Sequence, residues 1–322
     1  MNTLPRVRAP IASQKQQRGV VLLAFFLVLF LVGAGAIISV LDSNTPRLRS
    51  STDTMAALRQ AKESLIAYAV LYAENYSVSG DAPGYLPCPD TNGNGLENEP
   101  CNAANPLGRL PTSILLPAPL NSTLPLSNYN NDVDEQFWYS VANNFKRNPA
   151  GILNTAAATT MTLDGQGGIA AVLIAPGPIT GGQARPSNSS NRYLEDSNTS
   201  SPNFVTRDLV DPDNFNDRVI VITVDEIFIP IVRILADNVK TALDAYHVAN
   251  ARYPLNQGEF DGGIAPTAPW FAGNYGAAAA PGVVTYAWIT NDRASLSFTG
   301  CDNISFQLDF NPSAIVQTGS RC

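Results

Sequence analysis

One uncharged run limits what this chain can become. From Gly19 to Leu41 it reads GVVLLAFFLVLFLVGAGAIISVL, and the next charged residue is Asp42. Taken as helix at about 1.5 Å per residue, the run would be roughly 34 Å long, enough to cross a hydrocarbon core of about 30 Å. Ahead of it stands a leader with Arg6, Arg8, Lys15 and Arg18 and no acid. That asymmetry predicts an N-terminus kept on the cytoplasmic side and a remainder sent across the membrane. No second run of this kind follows, so everything after Asp42 is expected on the far side.

The remainder is long enough to bury a core. The chain has 322 residues and a formal charge of -7, and beyond the leader its 20 Lys and Arg are scattered. Phosphate binding needs a basic stripe, so nucleic acid is not an expected partner. The four cysteines suit an oxidising compartment, since one histidine, His247, leaves no zinc set at these spacings. Cys88 with Cys101 and Cys301 with Cys322 is the simplest pairing of the three connectivities that four cysteines allow.

Beyond the apolar run, Pro46 predicts a kink or short break. Helical spacing resumes over roughly Thr52–Tyr76, where Leu58, Ala61, Leu65, Tyr68 and Tyr72 recur at threes and fours. Gly80 to Asn148 reads mainly as ordered loop, with a core cluster at Phe137, Trp138 and Tyr139. IAAVLI at Ile169–Ile174 and RVIVITV at Arg218–Val224 suit buried strands. Gly181 to Asp217, rich in Ser, Asn and Asp, reads as a long exposed loop. A second helix is expected over Asp225–Asn250, with Ile227, Ile231, Ile234, Leu235, Val239, Ala242, Leu243 and Tyr246 on one side and Pro230 tolerated in its first turns. VVTYAWIT, ASLSF and ISFQLDF then suggest an antiparallel meander, the last alternating Ile304, Phe306, Leu308 and Phe310 with polar residues.

A basic leader ending in Gly19, an apolar segment directly after it, an amphipathic continuation and an antiparallel sheet closed by C-terminal cysteines together resemble the type IV pilins and the pseudopilins of type II secretion. The resemblance implies an α+β fold. Its long N-terminal helix, half membrane-spanning and half amphipathic, would pack on an antiparallel pilin-like head with large loops and a second helix. It also implies cleavage after Gly19 by a prepilin peptidase, methylation of Val20, and packing among other pilin or pseudopilin subunits in a filament growing from the inner membrane. The organisation expected is a leader over 1–19, an assembly half over 20–41, a periplasmic amphipathic half over 42–78 and a periplasmic head over 79–322. Pilins usually carry a glutamate at the fifth residue after the cut, where this chain has Ala24. An acid in lipid costs about 2.5–3.5 kcal/mol on insertion scales unless it meets a partner such as the neighbouring N-terminal ammonium. Members lacking it are minor subunits at or near the filament tip, and the large chain points the same way. The endings YAENYSVSGDAPGYLPCP and YHVANARYPLNQGEFDGG each run from helix through a Tyr-centred turn to Pro, which admits either an internal duplication of a pilin-like half or coincidence.

Few residues carry chemistry. CPDTNGNGLENEPC sets Asp90, Asn92 and Asn94 at alternate positions before Gly95, matching the first six positions of a calcium-loop pattern, with the Leu96 carbonyl as a further ligand. Position twelve is Cys101, so Glu97 or Glu99 would supply the remaining carboxylate. A plain Asn-Gly turn closed by Cys88 and Cys101 is the competing reading. Asp211, Asp213 and Asp217 read as a solvated stretch, and Trp270, Phe271 and Tyr275 as plugs pinning a loop or as a contact surface. No nucleophile elbow, zincin motif or phosphate loop is present, so an assembly protein is expected and not an enzyme. The alternative is a soluble secreted binding protein whose ordinary signal peptide ends at AGA, Ala34–Ala36.

Overall fold

The computed structural model describes residues 51–76, 83–98, 101, 106–115, 123–125, 136–146, 159–206, 215–264, 284–298 and 301–322. The first element is helix α1, Ser51–Tyr76. Leu58, Ala61, Leu65 and Tyr68 are buried, whereas Arg59, Gln60 and Glu63 on the other side are exposed.

Four strands after α1 make an antiparallel sheet in chain order: β1 (Leu107–Arg109), β4 (Trp138–Val141), β6 (Ile169–Ala175) and β8 (Arg218–Thr223). Trp138 lies opposite Ile174 and Ala175 opposite Arg218, which fixes the register. Every residue of β6 is buried, as an unbroken apolar run requires when both faces of a strand are covered. The insertions between these strands hold two small pairings. Strands β2 (Ser113–Leu115) and β3 (Thr123–Pro125) pair antiparallel, and β5 (Thr162–Leu163) and β7 (Asn203–Phe204) pair parallel.

Helix α2, Val224–Asn250, leaves β8 without a linker. Thr223 caps it: its hydroxyl accepts from the Glu226 amide while the Glu226 carboxylate accepts from the Thr223 amide, a reciprocal capping box. The buried residues Ile227, Phe228, Ile231, Val232, Leu235, Ala236, Val239, Lys240, Leu243 and His247 span an arc of about 220° at 3.6 residues per turn. A surface helix needs roughly half that width, so α2 is covered from two directions. Its contacts are with α1 and β8 in one layer and with β11 and β12 in the other.

That second layer is a tight meander of β9 (Val284–Thr290), β10 (Arg293–Phe298), β11 (Cys301–Asp309) and β12 (Ala314–Thr318). Ala294, Leu296, Phe298, Ile304, Phe306 and Leu308 point inward and are buried, and Ser295, Ser297, Ser305 and Gln307, which alternate with them on the other face, are half-buried. Leu296 lies opposite Phe306 on one side and Tyr286 on the other. Short helix α3 (Gln257–Gly263) covers β9, stacking Phe260 on Tyr286 at 4.7 Å. Ser50–Cys322 is one compact unit.

The expected fold class is corrected on two counts. Among the described residues no helix is long and apolar enough to cross a membrane. The described helix starts at Ser51 and carries Arg59, Lys62 and Glu63, so it is no apolar span; residues 20–41 lie outside the described residues. Nor does one helix pack on one sheet. The region read as ordered loop supplies β1 and β4, too short to show a period, and these build a separate sheet with its own helix. Two details of α2 also differ. Pro230 is its seventh residue, past the first turn, so it removes the bond an amide there would give to the Glu226 carbonyl. Ile234, Ala242 and Tyr246 are only half-buried, because the second layer draws Ala236, Lys240 and His247 inward instead.

Candidate functional site

The cysteines pair as Cys88–Cys101 and Cys301–Cys322. The first clip closes the Asp/Asn/Gly loop, whose side chains hold the loop's own backbone. Asp90, 1% exposed, accepts from the Asn92 and Gly93 amides through Oδ1, at 3.1 and 2.7 Å, and from the Gly95 amide through Oδ2 at 2.7 Å. Asn92 Oδ1 then accepts from the Asn94 amide, and Asn94 Oδ1 from the Leu96 amide. Gly95 takes φ +82°, which such a tight return of the chain requires. Glu97 is buried and its Oε2 accepts from the Cys88 amide at 3.2 Å.

Of the six candidate ligands, Asp90 and Glu97 thus face the base of the loop, Asn92 and Asn94 are exposed at its rim, and Leu96 is half-buried. Glu99 lies outside the described residues. Among the described residues no three His, Cys, Asp or Glu are grouped to hold a metal. The calcium reading needs these oxygens to turn from amides to an ion, while the turn reading needs nothing further.

The base of the loop continues into a buried arginine. Arg109 is 2% exposed and its backbone pairs with Asp90 in both directions. Its Nη1 donates to Gln136 Oε1 at 2.9 Å and its Nη2 to the Ser187 carbonyl at 2.5 Å. The guanidinium also lies 5.4 Å from the Tyr193 ring centre and 6.0 Å from that of Trp138. Tyr193 and Leu194 are buried here, so this part of the segment expected to be an exposed loop covers the Trp138 side of the first sheet. Asn188 Nδ2 donates to the Asn92 carbonyl, tying this cover to the clipped loop.

A polar centre orders the same segment. Glu195 Oε2 accepts from the amides of Asn216 and Asp217, and its Oε1 accepts from Gln183 Nε2 at 2.8 Å. Asp217 Oδ2 accepts in return from the Glu195 amide at 3.0 Å and from Asn198 Nδ2 at 3.1 Å. Asn198, fully buried, also exchanges two hydrogen bonds with the Val205 backbone. Burial pushes the Asp217 carboxyl up to about 8; the Glu195 amide pulls it partly back, and the Glu195 carboxylate raises it further. Asp217 is therefore no solvated residue: it is 5% exposed, because β8 starts immediately after it. Asp211 and Asp213 lie outside the described residues, as do Trp270, Phe271 and Tyr275. Phe137, Trp138 and Tyr139 are buried, as expected of a core cluster of aromatics.

The second layer has its own polar cluster at the C-terminal end of α2. Lys240 Nζ donates to Asp244 Oδ2 at 2.5 Å and to Ser313 Oγ at 2.9 Å. Asp244 Oδ1 accepts from the Tyr253 hydroxyl, whose ionisation burial and then that carboxylate push up. A lysine held by a carboxylate and donating to a serine cannot take that serine's proton, so no nucleophile is activated here. His247 Nε2 lies 2.6 Å from Asp292 Oδ1, and its ring stacks on Phe310 at 3.7 Å. The Tyr-Pro turn beyond is fixed by Glu259, which accepts from Arg252, Tyr246 and the Leu255 amide; Arg252 foremost draws its carboxyl down to about 2.

Arg109, Asn198 and Lys240 were not singled out in the sequence, and Asp217 was read there as a solvated acid. Only Lys240 left a signal, its four-residue spacing to Asp244 on a helix. No protein-family model matches the chain, and neither a curated protein nor a solved structure matches it.

Proposed function

We propose that the chain is a minor pilin-like or pseudopilin-like subunit that is cut after Gly19, exposes Val20 as its new N-terminus and assembles into, initiates or caps a filament. The observation that carries this is the order of the N-terminal sequence: an acid-free basic leader, Gly19, an uncharged segment to Leu41 and then the amphipathic α1. Support comes from the repeated plan of a helix followed by an antiparallel four-stranded meander and from a disulfide in each half.

In this reading residues 20–41 are held in the inner membrane with the head in the periplasm, and the partners are a prepilin peptidase and other subunits of the same kind. Ala24 leaves no carboxylate for a neighbouring ammonium, which favours a terminal position over one in the shaft. The chain's work is assembly and contact and not catalysis.

Mass spectrometry of the intact N-terminus, on protein recovered from its native envelope, tests the reading. The expected result is a chain beginning at N-methylated Val20. A chain beginning near Ile37 would make this a secreted soluble protein and overturn the proposal.

A further inference from the structure

The two acids at the open end of the β6–β8 pair are joined in an unusual way. Each accepts a hydrogen bond from the other's backbone: the Glu195 amide donates to Asp217 Oδ2, and the Asp217 amide to Glu195 Oε2. The two acids are thereby held side by side, so that the negative charge of Glu195 disfavours ionisation of Asp217. Asp217 Oδ1 is buried and takes no hydrogen bond from any amide or hydroxyl. A bare carboxylate oxygen in that position would be desolvated beside a second negative charge, which is costly unless a proton sits between them.

We propose that Asp217 and Glu195 share one proton and act as an acid latch, pinning residues 176–206 over the Trp138 side of the first sheet and releasing them as that proton is lost. The latch reaches far because Glu195 is a hub. Its other oxygen holds Thr180 and Gln183, and Asn216 beside Asp217 donates to the Pro178 carbonyl. Among the described residues the charged groups on the elements around the pair are Arg185, which donates to the Gly177 and Tyr193 carbonyls, Arg192, which donates to the Gly182 carbonyl, exposed Asp196, and Arg218 on β8.

The direction follows from linkage. In an open segment Asp217 is an ordinary carboxylate, whereas in the closed one it keeps its proton to higher pH. The closed form is thus fully favoured below about pH 4, and it loses ground by up to about tenfold per pH unit until about pH 8, where the closed form also ionises.

Hydrogen exchange of the full chain between pH 5 and 8, corrected for intrinsic exchange, reads this out at the amides of Glu195, Asn216 and Asp217. Protection should fall steeply in the native protein, while amides of β10 and β11 keep a flat profile. Asp217→Asn should leave the segment closed and remove the slope, since the amide group can donate to Glu195 at any pH. Should that variant fail to fold, Glu195→Gln answers the same question: without a negative neighbour Asp217 ionises earlier, and the slope should end at lower pH. A native protein with no slope, or Asp217→Asn with the native slope, would overturn the proposal.

Discussion

The two halves of the molecule place a helix and then a four-stranded antiparallel meander in the same chain order, yet they exclude water differently. In the first half the connections between strands are long, and one of them folds back so that Tyr193 and Leu194 cover the sheet. In the second half β10 follows β9 through a two-residue turn, and one face stays wet with Ser295, Ser297, Ser305 and Gln307 only half-buried. The lesson is that an insertion can serve as a layer. β6 is IAAVLIA because it is covered on both sides, while β11 alternates because it is covered on one.

A charge placed on an inner strand of each sheet should have very different effects in the two halves. Val172→Lys leaves an unpaired ammonium between two layers and should cost about 3–5 kcal/mol, unfolding the chain or nearly so. Ser305→Lys, on the wet face of β11, should change stability by about 0.5 kcal/mol or less. Chemical denaturation of the two variants decides it; equal losses would mean that the second sheet is also covered.

Removing the clips asks whether the halves are tied to the same degree. Cys88→Ser with Cys101→Ser opens a separation of 13 residues, and Cys301→Ser with Cys322→Ser one of 21. On chain entropy each should cost about 3 kcal/mol. A much smaller loss at the first clip would show that the three amides held by Asp90 already define that loop. Thermal melts of both double variants make the measurement.

The joint between halves should give the smallest effects. Thr223→Ala removes the cap of α2 and should cost about 1 kcal/mol. Lys62→Ala removes an ion pair of 2.6 Å to Glu226 that is partly open to water, and should cost under about 1 kcal/mol. Their sum, measured in the double variant, should be less than additive, because Glu226 serves both contacts.

How far the sequence foretold this depends on whether a residue's partners lie along one element. Leu58, Ala61, Leu65 and Tyr68 announced α1, and Ile304, Phe306 and Leu308 announced the inner face of β11, because period alone records one covered side. The second buried side of α2 was hidden: Lys240 and His247 go inward only because Ser313 and Asp292, far along the chain, meet them there. The first sheet was half legible. β6 and β8 are apolar runs, but Leu107–Arg109 is three residues with an arginine in it. The segment from Gly181 to Asp217 looked exposed by composition, and much of 181–192 is; burial begins at Tyr193 and Leu194, where the described residues are held by side chain to backbone hydrogen bonds of Asn198, Glu195 and Arg185, which leave no periodic trace.

Because α2 walls both layers, synthesis order matters to how this protein matures. Strands β4 and β6 leave the ribosome well before Val224 to Asn250 exist, so the first meander must wait with part of its apolar surface uncovered. Closure of the early half is set by the arrival of the late one, and the chain should gain resistance to proteases in a single late step. Any partner that shelters nascent apolar surface would be needed longest by residues that, in the finished fold, are the most deeply enclosed.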